Sequence, residues 1–128
     1  MTDFDLTAIP TVAVPVTDQE RALSFYVEVL GFQKHMDVPL GQIGGRWITV
    51  GPAQSATTIA LVPASEDTPA GVDTGIRITA TDAPAAHRGL VEHGVDVDEL
   101  LQWDGVPPMF GFRDRDGNRL VIVEQVRR

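Results

Sequence analysis

Few side chains in this 128-residue chain could do covalent or metal chemistry. There is no cysteine, which removes disulfides, thiolate metal sites and a cysteine nucleophile. Only three histidines occur: His35, His87 and His93. His35 and Asp37 fall on one side of an extended stretch, either as a weak metal pair or as two polar residues on a half-exposed strand. His87 and His93 are six apart in a helical pattern, hence on different helix faces. Ser24, Ser55 and Ser65 have no histidine near them in sequence to act as a base, so a serine triad is unsupported. What remains is recognition chemistry. Arg77 and Arg119 offer forked cationic donors, Trp47 a stacking surface, and Thr11, Thr49 and Thr79 hydroxyls.

These residues must be placed by secondary structure, and the stretch from Ile9 to Phe32 shows how. Val12, Val14 and Val16 alternate with Thr11, Ala13 and Pro15, the period of a strand with one face on a core. Pro15 has no N–H and belongs near a strand end or on a sheet edge. Thr17 or Asp18 suits a helix N-cap, and Thr17 with Glu20 fits a capping box. Ala22, Tyr26 and Val29 follow at helical spacing, and Gly31 suits a left-handed stop. Strands are expected over 33–38, 46–50 and 57–62, separated by glycine- and proline-rich breaks.

The pattern then recurs. Ile76 and Ile78 replace Val12 and Val14, Thr81-Asp82 replaces Thr17-Asp18, Pro84 fits a first helical turn, and Gly94 replaces Gly31. A short strand is expected within 95–101, a loop over 102–108, and strands over 109–113 and 119–125. Asp114 to Asn118 reads as a hairpin turn, with Gly117 suited to positive φ. The expected architecture is α+β: two βαβββ modules, about 7–62 and 74–126, joined by a linker over 63–73 within one domain of 1–128. Each module has one helix for one sheet face. The bare faces can curl toward each other as an incomplete barrel around a cleft.

Composition narrows the function classes. The net charge is −8, and neither basic residues nor aromatics form a stripe. Nucleic-acid binding through phosphate contacts is therefore not expected, and the closing Arg127-Arg128 pair is too small to change that. No apolar run approaches the ~20 residues that span a bilayer, and the acidic N-terminus is unlike a signal peptide. A cytoplasmic protein without membrane contact is expected.

The duplicated module, Val16-Thr17-Asp18 followed by ALSFYVEVLGF (Ala22 to Phe32), and FRDRDGNRLVIVE (Phe112 to Glu124) resemble the vicinal oxygen chelate superfamily. That superfamily contains glyoxalase I, extradiol dioxygenases, and fosfomycin- and bleomycin-resistance proteins. The resemblance implies four inward metal-ligand positions. By motif matching they fall on Thr11, Ala60, Gly75 and Val121, none of which offers an imidazole or a carboxylate. Shifting the alignment by one residue supplies none either. No metal and no cofactor are therefore expected.

Strand parity around those four positions groups Thr11, Trp47, Thr49, Ala60, Gly75, Arg77, Thr79 and Val121 on the cleft side, with Trp103 and Phe110 as a lid or hydrophobic seal. An aromatic, aliphatic, hydroxyl and cationic mixture suits a small organic molecule with an anionic or carbonyl group. The expected function is metal-free small-molecule binding, similar to the bleomycin-resistance branch, in a homodimer. Two alternatives stand beside it. One is a glyoxalase-type lyase or isomerase, or a dioxygenase-related enzyme, with an unusual metal site or none. The other is a non-catalytic dimeric scaffold.

Overall fold

Two segments of similar pattern fold into two similar sheets. The computed structural model describes residues 4–126, so Arg127 and Arg128 lie outside the described residues. Strand β1 (Thr11–Val16) leads to helix α1 (Gln19–Ser24), which continues as a π-helical turn over Phe25–Val29. Strands β2 (Gln33–Pro39), β3 (Arg46–Gly51) and β4 (Thr58–Pro63) complete the first sheet, in the order β1-β4-β3-β2. The second half begins with β5 (Asp73–Ala80) and helix α2 (Ala83–Glu92). It continues with β6 (Asp96–Val97), β7 (Leu101–Trp103), β8 (Val106–Arg113) and β9 (Arg119–Glu124). Its order is β5-β9-β8-β6, with β7 beside β8. The fold is mixed α+β, and the sheets do not close into a barrel. Among the described residues, no helix is long and apolar enough to cross a membrane.

The first strand of each module pairs parallel to the last, β1 with β4 and β5 with β9, and the other ladders are antiparallel. Proline 15 is tolerated because β1 is an outer strand of its sheet. The helix-facing positions are aliphatic and aromatic and form one cluster. Val14, Ile48, Val50 and Leu61 belong to it from the first sheet, and Phe110, Phe112, Leu120 and Ile122 from the second. Burying such side chains fully is worth about 1.5–3 kcal/mol each, so this shared layer, more than any single bond, holds the halves together.

The helix starts follow local chemistry. Asp18 caps α1, accepting a hydrogen bond from the Arg21 N–H at 3.1 Å, and Asp82 caps α2 through the Ala85 N–H at 2.9 Å. The capping box expected from Thr17 and Glu20 does not form. The Thr17 N–H and hydroxyl both donate to Asp116, and Glu20 pairs with Arg46 at 2.9 Å. Gly31 and Gly94 take φ of 77° and 73°, the left-handed stops that the sequence predicts.

Two expectations are corrected. The stretch 102–108 is not a loop: Trp103 pairs with Val106 across Asp104-Gly105, with Gly105 at φ 80°. An Asp-Gly pair between extended residues is itself a hairpin signal, here masked by Pro107-Pro108. The α1 segment is also not uniformly α-helical. Its last turn widens, so that the Leu30 N–H reaches Phe25 O and the Phe32 N–H reaches Tyr26 O.

Candidate functional site

The candidate site lies on the sheet faces turned away from the helices. Strand registers decide its membership, because cross-strand partners share a face. In the first sheet Thr49 stands opposite Ala60 and Met36, Trp47 opposite Val38, Ala13 opposite Ala60, and Thr11 opposite Thr58. Thr11, Trp47, Thr49 and Ala60 therefore share one open face. Thr49 and Ala60 are buried, while Trp47 and Thr11 are half-buried. The Thr11 and Thr58 hydroxyls lie 3.4 Å apart.

In the second sheet Val121 stands opposite both Arg77 and Gly111, and Thr79 opposite Val123. Arg77, Thr79 and Val121 share that open face. Gly75 lies in an irregularity of β5, between Asp73 opposite Arg119 and Arg77 opposite Val121, and takes φ 73°. Arg77 is exposed, and its Nη1 donates to Gly75 O at 3.0 Å. Among the described residues it has no carboxylate partner within ion-pair distance, unlike Arg21, Arg46, Arg113 and Arg119.

Two lid candidates separate. Trp103 is exposed on β7. Phe110 does not belong with it: it stands opposite Ile122, is 1% exposed, and packs edge-on against His87 with centroids 4.8 Å apart. Neighbours in a strand point to opposite faces, so Met109, opposite Val123, takes the open face and Phe110 the core. His87 is thereby a half-buried histidine against the core, with Nε2 2.9 Å from Asp98 O. The pairing of His35 with Asp37 is likewise absent. His35 falls in a bulge of β2, and Asp37 is held by Arg46 at 2.6 and 2.9 Å. Hydrogen bonding to Arg46 lowers the Asp37 pKa to about 2.

A charged network on the second open face was not legible in the sequence. Asp98 accepts from Arg113 at 2.9 Å and from Arg119 at 3.2 Å, with Asp96 and Asp73 each 3.8 Å from one of those guanidinium groups. Hydrogen bonding to Arg113 and then Arg119 holds the Asp98 carboxyl below its ordinary range. The network lies directly over Gly111, where a Cβ would collide with Arg119 Nη2 and Asp98 Oδ2. Arg119 is thus an internal ion-pair partner, and Arg77 is the cation on this face that remains available.

The four positions that motif matching assigns to the superfamily's metal ligands do not fit a metal here. Thr11 supplies a hydroxyl, while Ala60, Gly75 and Val121 supply no side-chain donor. Among the described residues, no three His, Asp or Glu side chains gather to hold an ion elsewhere.

The profile of the Glyoxalase/Bleomycin resistance protein/Dioxygenase superfamily matches residues 8–122. The uncharacterized protein YurT of Bacillus subtilis (strain 168) is 34% identical over 130 residues, covering 91% of this chain and 98% of that protein. TnmS3, an antibiotic binding protein from Streptomyces sp. CB03234, is 32% identical, with a TM-score of 0.84, over 96% of this chain and 99% of its own. A superfamily member from Sphaerobacter thermophilus DSM 20745 is 33% identical, with a TM-score of 0.86, over 94% and 98% of the two chains. With its profile match spanning nearly the whole sequence and its paired βαβ-type modules, this chain belongs to the Glyoxalase/Bleomycin resistance protein/Dioxygenase superfamily.

Proposed function

We propose that this protein binds a small organic molecule without a metal ion. One observation carries the reading. The positions that motif matching assigns to the superfamily's metal ligands are Thr11, Ala60, Gly75 and Val121, none with an imidazole or carboxylate, while the faces around them keep an aromatic ring, hydroxyls and an available guanidinium. Such a surface recognises shape and one polar group and offers no Lewis acid or activated nucleophile. The similarity to an antibiotic binding protein over 96% of the chain supports the same reading.

In this reading Arg77 anchors an anionic or carbonyl group, and Trp47 stacks on the apolar part of the ligand. Losing a charge-assisted hydrogen bond weakens binding by about 1.5–3 kcal/mol, roughly tenfold to a hundredfold. Arg77 and Trp47 come from different sheets, so a bound molecule would bridge the modules, within a chain or across a dimer. A homodimer is part of the proposal. Met36, Val38, Leu101 and Trp103 remain exposed at 48%, 45%, 41% and 58%, apolar surface that a second copy would cover. The test is a thermal-shift screen followed by titration of the hits against Arg77→Ala and Trp47→Ala. The expected result is weakened binding in both variants. Unchanged affinity in both, with the fold intact, places the ligand elsewhere. Sedimentation of the parent as a single-chain species at micromolar concentration contradicts the dimer.

A further inference from the structure

A glycine without a structural reason points to a second cavity. Gly89 lies inside α2, where glycine is the least favoured residue after proline. Its φ is not positive, and a Cβ built there meets no atom within 4 Å. Neither backbone geometry nor close packing asks for glycine, but its missing side chain leaves space. Gly89 walls a cavity of about 450 Å³ between α2 and the end of the π-helical turn. The other walls include Leu30, Phe32, Ala86, Leu90 and Ile122, so the lining is mainly apolar.

A second compartment of about 350 Å³ adjoins it, sharing Phe32, Pro52, Ile78 and Thr79 as walls. Its apolar walls include Val12 and Ile59, and Arg77 is also part of its lining. The seam between the modules therefore runs from a mainly apolar pocket beside Gly89 to Arg77, which has no carboxylate partner among the described residues. Trp47, Thr49 and Val121 wall neither compartment, while Arg77 and Thr79 of the second open face do, so the seam meets that face at Arg77 and otherwise runs along the helix-facing side.

We propose that this seam is a binding site for an amphipathic carboxylate, with its aliphatic or aryl-alkyl tail beside Gly89 and its head on Arg77. Both compartments fall within the ~300–1,000 Å³ usual for small-molecule sites. A carboxylate matches the planar guanidinium fork through two parallel hydrogen bonds. The net charge of −8 disfavours a multiply charged head such as a phosphate monoester. The guanidinium makes one described hydrogen bond, to Gly75 O, and keeps further N–H donors to offer.

The test uses decanoate as the probe, titrated calorimetrically into the parent protein, with decanol as its uncharged counterpart. Gly89→Leu puts bulk into the tail compartment, and because a Cβ there meets no atom within 4 Å and leucine is a better helix former, the helix is expected to hold. The expected results are saturable decanoate binding, decanol at least about tenfold weaker, and Gly89→Leu at least about tenfold weaker with an unreduced melting temperature. Arg77→Ala, which removes the head contact, is expected to weaken decanoate at least about tenfold. Absence of decanoate binding at about 1 mM, equal binding of decanol, or full binding by Gly89→Leu overturns the seam site. Decanoate binding that Trp47→Ala abolishes and Gly89→Leu spares also overturns it, and returns the acid to the open faces of the proposed function.

Discussion

The Tyr26 hydroxyl donates to Asp114 Oδ2 at 2.7 Å, a buried bond between side chains 88 positions apart. It joins the helical segment of the first module to the β8–β9 turn of the second. Burial, and then the Asp114 carboxylate, push the phenol pKa well above its usual value. The hydroxyl therefore stays protonated at neutral pH and is the donor of this bond. Thr17 and Arg21 add contacts to Asp116 in the same turn, and the Arg115 guanidinium lies 5.1 Å from the centre of the Phe25 ring. This turn fastens the two modules at one end of the seam.

Replacing Tyr26 by Phe removes one hydrogen bond to a charged, buried acceptor and little volume. The expected loss is about 1.5–3 kcal/mol of unfolding free energy, measured by urea denaturation. Asp114 keeps Asn118 Nδ2 at 3.1 Å and the Asp116 and Asn118 N–H groups as donors, so the variant should still fold. An unchanged midpoint would mean that the turn is not stabilised by this contact.

Asn118 carries more. It is fully buried; its side-chain oxygen accepts from the Gly71 and Val72 N–H groups at 2.9 and 3.1 Å, and its amide donates to Pro15 O at 2.8 Å. One side chain thus ties the linker, the first strand and the last hairpin. Asn118→Ala leaves several of these groups without a partner, at about 1–3 kcal/mol each. The expected total is about 3 kcal/mol or more, larger than for Tyr26→Phe in the same denaturation series. The reverse order would contradict the assignment of Asn118 as the central tie.

How much of this was readable beforehand depends on how local each feature is. The β1 alternation, the Asp82 cap, the glycine stops at 31 and 94 and the turn glycine at 117 rest on neighbours in sequence, and the structure has them. The π-helical turn was hidden because Ala22, Tyr26 and Val29 fit an ordinary helical stripe equally well. Thr17 read as a capping residue because its true partner, Asp116, is 99 positions away. Phe110 suits a seal by its aromatic type alone, but strand alternation gives the open face to Met109 and turns Phe110 into the core. The Asp98 network and the seam cavities depend on how sheets and helices come together, which spacing along the chain does not encode.

The pair of Asp37 with Arg46 makes a prediction about acid. The folded pKa, about 2, lies below the ordinary 3.8, so the carboxylate is favoured in the folded state. Its stabilisation is fully present above the unfolded value and is lost as the pH falls through the folded one. The melting temperature of Asp37→Asn should therefore lie below the parent at pH 7. The gap should close as the pH falls from about 5 to about 2. A gap that widens toward acid would show that this ion pair is not what sets the difference.

Native mass spectrometry of the chelator-treated protein, with a ligand found by screening, separates metal-free from metal-dependent binding. The expected result is that the compound adds its mass stoichiometrically to protein that carries no divalent ion, because Thr11, Ala60, Gly75 and Val121 offer no imidazole or carboxylate. Adducts that form only when a zinc, nickel, iron or manganese ion is retained, about one per chain, would contradict it.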